Sequence, residues 1–237
     1  MNAYFSNIEI ILWLSSAFLI TFSFYIFDKI NYISLIASLI GITAIIFNAK
    51  ANPLGQFLMI IFSFLYGIIS FSFKYYGEMI TYIGMTMPMA AFALVSWLRH
   101  PYKGNKAEVE INRIDKKEIV FMLLISIIIT VIFYHILVKF HTSNIYPSTL
   151  SITTSFIAVY LTFRRNPYFS IAYAANDVVL IILWTFASTE NIKYISVVIC
   201  FTAFLFNDIY GFISWIRLEK MQKINIGANQ YGKRKKP

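Results

Sequence analysis

The chain has 237 residues, 59% of them hydrophobic and only 13% charged, and its 20 Lys and Arg outnumber 11 Asp and Glu for a formal net charge of +9. With a mean hydropathy of +0.68, this composition excludes an ordinary globular domain. The single cysteine and the lack of GxxxxGK[ST], HExxH, GxGxxG and GxSxG motifs leave disulfides, nucleotide hydrolysis, zinc chemistry and a nucleophilic serine without support, so no enzyme and no cofactor are expected.

A bilayer-crossing helix needs ~20 mostly apolar residues, and eight such stretches follow one another at approximately 8–27, 30–47, 54–73, 78–98, 119–138, 148–163, 168–187 and 193–216. The first has no Lys or Arg ahead of it and no small-residue cleavage site behind it, so it is expected to stay as a helix. The second places Ser34, Ser38, Gly41 and Asn48 on one stripe, and the third places Gln56, Ser63, Gly67 and Ser70 on one side. In the fourth, Glu78, Tyr82, Thr86 and Met89 align; Glu78 in the first turn reads as a gate or, in preference, a helix-terminus fastener, and Pro88 predicts a kink, either a hinge or, more commonly, a static bend. The charged loop 99–118 reads as a simple connector.

The sixth stretch carries Ser148, Ser155 and Thr162 on one stripe. The seventh and eighth hold the sharpest signal, Asn176-Asp177 and Asn207-Asp208, each with a Trp seven residues further on, Trp184 and Trp215. Both Asp residues come roughly 12 to 14 Å above the same end of the bundle at 1.5 Å per residue. A carboxylate at that depth is costly, and its readings are a fastener, a partner for a cationic or hydroxylated solute, or a proton relay. Tyr173 shares the Asp177 stripe, and aromatic walls beside acids and amides suit a flat, positively charged ring. Trp215 reads as an interfacial anchor. His135 and His141 lie on the opposite side from His100, so no metal site is expected.

Two anchors recur along the chain. Asn52-Pro53 returns as Asn166-Pro167 at a spacing of 114, and Ser96-Trp97-Leu98-Arg99 returns as Ser214-Trp215-Ile216-Arg217 at a spacing of 118. Two three-helix units separated by one extra crossing must run parallel, which predicts an all-α integral membrane protein of eight transmembrane helices, one N-terminal helix plus a 3+1+3 parallel-repeat bundle. The expected divisions are an N-terminal helix at 1–29, a first bundle at 30–98, a loop and linker helix at 99–147, a second bundle at 148–217 and a basic tail at 218–237. Alternation of sides puts 16 Lys and Arg on one face and four, Lys29, Lys74, Lys139 and Lys193, on the other. The rich face, with both termini, is assigned to the cytoplasm. The tail Lys233-Arg234-Lys235-Lys236 reads as a positive-inside flank that can also meet anionic lipid, and nucleic-acid binding is not expected.

The runs Phe62-Ser63-Phe64-Leu65-Tyr66-Gly67, Tyr75-Tyr76-Gly77-Glu78, Pro88-Met89, Asn176-Asp177 through Leu183-Trp184, and Asn207-Asp208-Ile209-Tyr210-Gly211 through Trp215 resemble the PnuC family of vitamin transporters over residues 30 to 217. The resemblance implies a SWEET-like fold in a bacterial inner membrane. It implies facilitated diffusion of nicotinamide riboside, with accumulation driven by a cytosolic kinase that phosphorylates the solute. Thiamine or riboflavin carriers of the same family, and a proton-coupled small-solute carrier, stand as alternatives, and a homo-oligomer is compatible with the sequence. The expected substrate-binding residues are Gln56, Tyr66, Tyr82, Thr86, Tyr173, Asn176, Asp177, Trp184, Asn207, Asp208 and Tyr210.

Overall fold

The computed structural model describes residues 4–73 and 75–234, with side chains followed to residue 225. Lys74, Lys235 and Lys236 lie outside the described residues, as do the side chains of Lys233 and Arg234, and with them the lipid-binding reading of the tail. The helices are α1 (Asn7–Phe27), α2 (Tyr32–Ala49), α3 (Leu54–Ser72), α4 (Tyr76–Thr81), α5 (Met87–Arg99), α6 (Lys116–Lys139), α7 (Ile145–Phe163), α8 (Phe169–Glu190) and α9 (Ile195–Arg234). Among the described residues, seven helical spans are long and apolar enough to cross a bilayer, α4 and α5 forming one of them. α7 is long enough at 19 residues, but its Ser and Thr side chains make it less apolar than the rest.

Polar side chains set the helix ends. Ser6 and Glu9 form a reciprocal capping box at α1, Asn31 caps α2, and Asp115 accepts from the Glu118 N–H at α6 over 2.7 Å, each satisfying a donor that the helix leaves free. Asn52 and Asn166 accept from Leu54 N and Tyr168 N at 2.9 and 3.0 Å, turning the chain between antiparallel helices. Ala51 and Arg165, one residue earlier in each turn, take the left-handed conformation at φ 54° and 58°.

Six helical segments pack side by side into a closed ring in the order α3, α2, α9, α8, α7, α5 and back to α3, while α1 lies outside against α2 and α9, and α6 lies outside against α7. Close approach within the ring depends on glycine, as Gly41 and Gly55 show. A Cβ on Gly41 would run into the Phe204 ring and lie 3.1 Å from Phe62; one on Gly55 would meet the Asn48 carboxamide oxygen and lie 2.8 Å from the Ala44 carbonyl.

The recurring tetrapeptides make the same bonds in exchange. Trp97 Nε1 donates to the Thr162 carbonyl at 2.9 Å and Ser96 Oγ to the Phe163 carbonyl at 3.0 Å. Trp215 Nε1 donates to the Asn48 carbonyl at 2.6 Å and Ser214 Oγ to the Ala49 carbonyl at 2.7 Å. These acceptors belong to the last turns of α7 and α2, where carbonyls lack intrahelical partners. Trp215 is therefore wholly buried and not an interfacial anchor, because its indole is the cap of another helix.

Three further features depart from expectation. The loop after α5 folds into an antiparallel hairpin, β1 (Pro101–Tyr102) and β2 (Asn105–Val109), turning through Lys103 and Gly104 at positive φ. It is more than a connector: Val109 N bonds the Ala51 carbonyl and Asn112 N the Arg165 carbonyl, so one segment bridges both Asn-Pro turns. Arg113 adds a two-pronged bond to Glu219 at 2.6 and 2.8 Å, which holds the guanidinium above its ordinary basicity. In place of a plain proline kink, residues Tyr82–Thr86 form a π-helical turn. Pro88 lies just after it, and the Met87 N–H reaches back to the Tyr82 carbonyl. Finally, α9 continues as helix past the start of the segment read as tail, to Arg234.

Candidate functional site

Two groups of aromatic side chains close the interior of the ring. At the basic end Trp97, Phe169 and Trp215 pack with ring centroids 4.8 to 6.2 Å apart. Toward the opposite end Phe62, Tyr66, Tyr82, Phe201 and Phe204 interlock at 4.4 to 6.0 Å. A cavity of about 30 Å³ remains between them. That is room for a few water molecules and far less than the ~300 Å³ or more of a small-molecule pocket, so this conformation is occluded.

Acids and amides gather in the cavity. Asp177 on α8 and Asp208 on α9 line it from neighbouring helices, near enough for the two carboxyl groups to interact directly. Such a pair either shares a proton or meets a cation. Asn176 lines it as well; its Oδ1 accepts from Thr154 Oγ1 at 2.7 Å and Ser155 Oγ at 3.0 Å, which leaves the Nδ2 donors free. Asn48 enters from α2, its Oδ1 held by Gln56 Nε2 at 2.8 Å. Tyr82, Thr86 and Tyr173 contribute aromatic and hydroxyl surface. Tyr82 and Thr86 begin and end the π-helical turn, and the extra residue of a π turn re-aims the side chains around it.

Six of the eleven expected residues thus meet at one cavity: Tyr82, Thr86, Tyr173, Asn176, Asp177 and Asp208. The other five stand elsewhere. Gln56 is buried behind Asn48 and positions it. Tyr66 and Trp184 lie beyond Tyr82, with Tyr66 against Tyr82 at 4.4 Å and against Trp184 at 6.3 Å. Asn207 turns to α1, donating to Ser16 Oγ at 2.7 Å, and Tyr210 donates to Glu9 Oε1 at 3.0 Å. The two Asn-Asp pairs are not equivalent because neighbouring helix positions are ~100° apart. On α8 both side chains lie between α7 and the interior, whereas on α9 the Asn half of the pair falls under α1. Asn48 and Ser155 were visible as members of polar stripes; Met59, Phe201 and Phe204, which complete the wall, carry no polar signal that would separate them from lipid-facing bulk.

A multi-pass helical membrane protein that encloses an acid- and amide-lined chamber within a ring of helices is the class these features define. The model of the nicotinamide mononucleotide transporter family matches residues 31–217, the whole ring from α2 to the end of the Ser-Trp-Ile-Arg run, and the chain belongs to that family, the family of PnuC. It is 22% identical over 202 residues to the nicotinamide riboside transporter PnuC of Neisseria mucosa, covering 83% of this chain and 76% of the relative. The crystal structure of the vitamin B3 transporter PnuC superposes with a TM-score of 0.80 at 19% identity, over 92% of this chain and 94% of that one, a likeness of fold. α1 precedes the family match.

Proposed function

We propose that this protein carries nicotinamide riboside across the bacterial inner membrane by facilitated diffusion, with a cytosolic kinase trapping the solute by phosphorylation. The observation that carries the reading is the meeting of Asp177, Asp208 and Asn176 with Tyr82 and Tyr173 in one closed cavity. A pyridinium ring is flat and positive, so it gains from aromatic faces and from a carboxylate pair; ribose hydroxyls suit free amide donors and acid acceptors. Membership of the family and the name of the Neisseria relative favour this solute, and the known relatives are transporters rather than enzymes.

α7 serves as the eighth crossing in this reading. Its hydroxyls bond to their own helix, to Thr130 of α6 at 2.7 Å, to Asn176 and to Glu78, which reduces the cost of polar groups in lipid. α2–α5 and α7–α9 form two parallel, SWEET-like halves, and the exchanged Ser-Trp bonds support that pairing. The basic end faces the cytoplasm with both termini. Transport proceeds as the halves rock about the cavity, which must enlarge to admit the solute and close again around it.

The test uses purified protein in liposomes. Nicotinamide riboside should equilibrate across the bilayer without ATP or an ion gradient. Asp177→Asn and Asp208→Asn should each weaken its calorimetric binding by about tenfold or more, as loss of a charged hydrogen-bond partner costs roughly 1.5–3 kcal/mol. Binding of thiamine or riboflavin in its place would refute the solute assignment. The carboxyl pair also favours a second reading, proton coupling, for which uphill uptake under an imposed pH gradient, lost in Asp177→Asn, would be the sign.

A further inference from the structure

Beyond the central cavity, toward the end opposite the basic one, lie buried polar atoms that make no well-formed hydrogen bond among the described residues: Ser63 Oγ, Tyr66 OH, Ser70 Oγ, Tyr75 OH, Trp184 Nε1 and Glu78 Oε2. Tyr66 OH and Trp184 Nε1 face one another, and Tyr75 OH faces Asn144. All six residues are less than 5% exposed. Buried polar groups are normally paired, and an unpaired one costs ~1–3 kcal/mol, more when charged. Ser63 Oγ, Ser70 Oγ and Glu78 Oε2 face no partner among the described residues, which leaves them able to receive a polar visitor.

The rings are in sequence. Tyr75 packs on Trp184 at 4.7 Å, Trp184 on Tyr66 at 6.3 Å and Tyr66 on Tyr82 at 4.4 Å, and Tyr82 is a wall of the central cavity. Glu78 stands beside this sequence, near both Tyr66 and Tyr82. One carboxyl oxygen accepts from Ser151 Oγ of α7 at 3.0 Å while the other has no partner. α4, the six-residue helix that carries Glu78, joins the rest of its span only through the π-helical turn at Tyr82–Thr86. Pro88, which lacks an N–H, follows after Met87. A π turn next to a proline is a soft joint in an otherwise rigid rod.

We propose that Glu78, with Tyr66, Tyr75 and Trp184, forms a second, outer station for a flat organic cation on its way to Asp177 and Asp208, and that α4 is the gate that opens it by bending at the π turn. This rests on the transport reading above and extends it: the central acids hold the solute, whereas Glu78 selects charge during access. The bond from Ser151 accounts for one carboxyl oxygen and leaves the other without a partner among the described residues.

The experiment compares initial uptake of cationic nicotinamide riboside with that of its neutral dihydro form by the full chain in liposomes. Glu78→Gln is expected to slow the cation by about tenfold and the neutral form by less than about twofold, the pattern of a charge that acts on access. Its equilibrium affinity for the cation should stay within about threefold of the parent. Glu78→Asp, which withdraws the carboxylate by one methylene, should slow the cation by a smaller factor than Glu78→Gln does and leave the neutral form unchanged, and Ser151→Ala, which removes only the bond to α7, should leave the ratio of the two rates unchanged. Equal slowing of both solutes in Glu78→Gln, or the same loss in Ser151→Ala, would reduce Glu78 to a fastener and overturn the station while leaving the central site standing. Should Glu78→Gln not fold, Glu78→Asp decides, since a carboxylate withdrawn by one methylene must still slow the cation alone. A parent protein inert toward both solutes would overturn the transport reading and this one with it.

Discussion

Gly55 on α3 faces α2, and the atoms a Cβ would meet belong to the Asn48 side chain and to backbone at 2.7 and 2.8 Å. Backbone cannot step aside, so Gly55→Ala should destabilise the protein by about 1–3 kcal/mol, read as a lower melting temperature in detergent. It should also displace Asn48 from the cavity and weaken solute binding. Asp28, at the turn after α1, carries an acid for which burial outweighs the pull of Lys193 and a bond to Asn31, and its affinity for a proton is raised above the ordinary carboxylate range. The folded state therefore holds a proton that the unfolded state releases. The stability this gives is complete below the ordinary carboxylate value and is lost as pH rises through the raised one. Asp28→Asn should accordingly melt higher than the parent at neutral pH, the gap narrowing on acidification. At this scale the sequence was readable where chemistry is rare: Asp177, Asp208 and Asn176 stand out in an apolar run. Gln56, Asn207 and Tyr210 stand out equally and lie elsewhere, because polarity marks a buried face without saying which neighbour shares it.

The exchanged tryptophans make the strongest prediction for the helices as units. Trp97→Phe and Trp215→Phe keep the ring and remove the N–H, leaving the Thr162 or Asn48 carbonyl without its indole donor. Each should cost about 1–3 kcal/mol. Because the two bonds sit in matching places, the losses in melting temperature should be alike; a large loss from one and none from the other would show that the halves are not equivalent. Most helix positions were legible, since apolar runs bounded by Asn-Pro, charge or glycine are long-range signals. The hairpin was not, because Pro101 to Val109 has neither the length nor the alternation of an ordinary strand pair and is held by bonds to Ala51 and the Gln222 side chain, more than 50 positions away in sequence for Ala51 and more than 110 for Gln222. The π turn was hidden as well: Pro88 signals a disturbed helix, but only packing decides whether it bends or takes in an extra residue.

For the molecule as a whole, the proposed orientation can be checked by placing single cysteines at Asn105, in the hairpin, and at His141, in the opposite turn, in a Cys200→Ala background. A membrane-impermeant thiol reagent applied to intact cells should label His141→Cys and spare Asn105→Cys; the reverse would invert the topology. The two recurring motifs were legible in the sequence and make matching bonds, whereas the closed ring was not, since the order of helices around it depends on which surfaces pack. The exchanged bonds also impose an order on biosynthesis. The end of α2 leaves the ribosome early, yet the hydroxyl and indole that seal it, Ser214 and Trp215, arrive with the last helix. Until then, nascent chains hold an open seam between α2 and the segments that follow, so a chain stopped short of Ser214 has every residue of the first half and no means of shutting it.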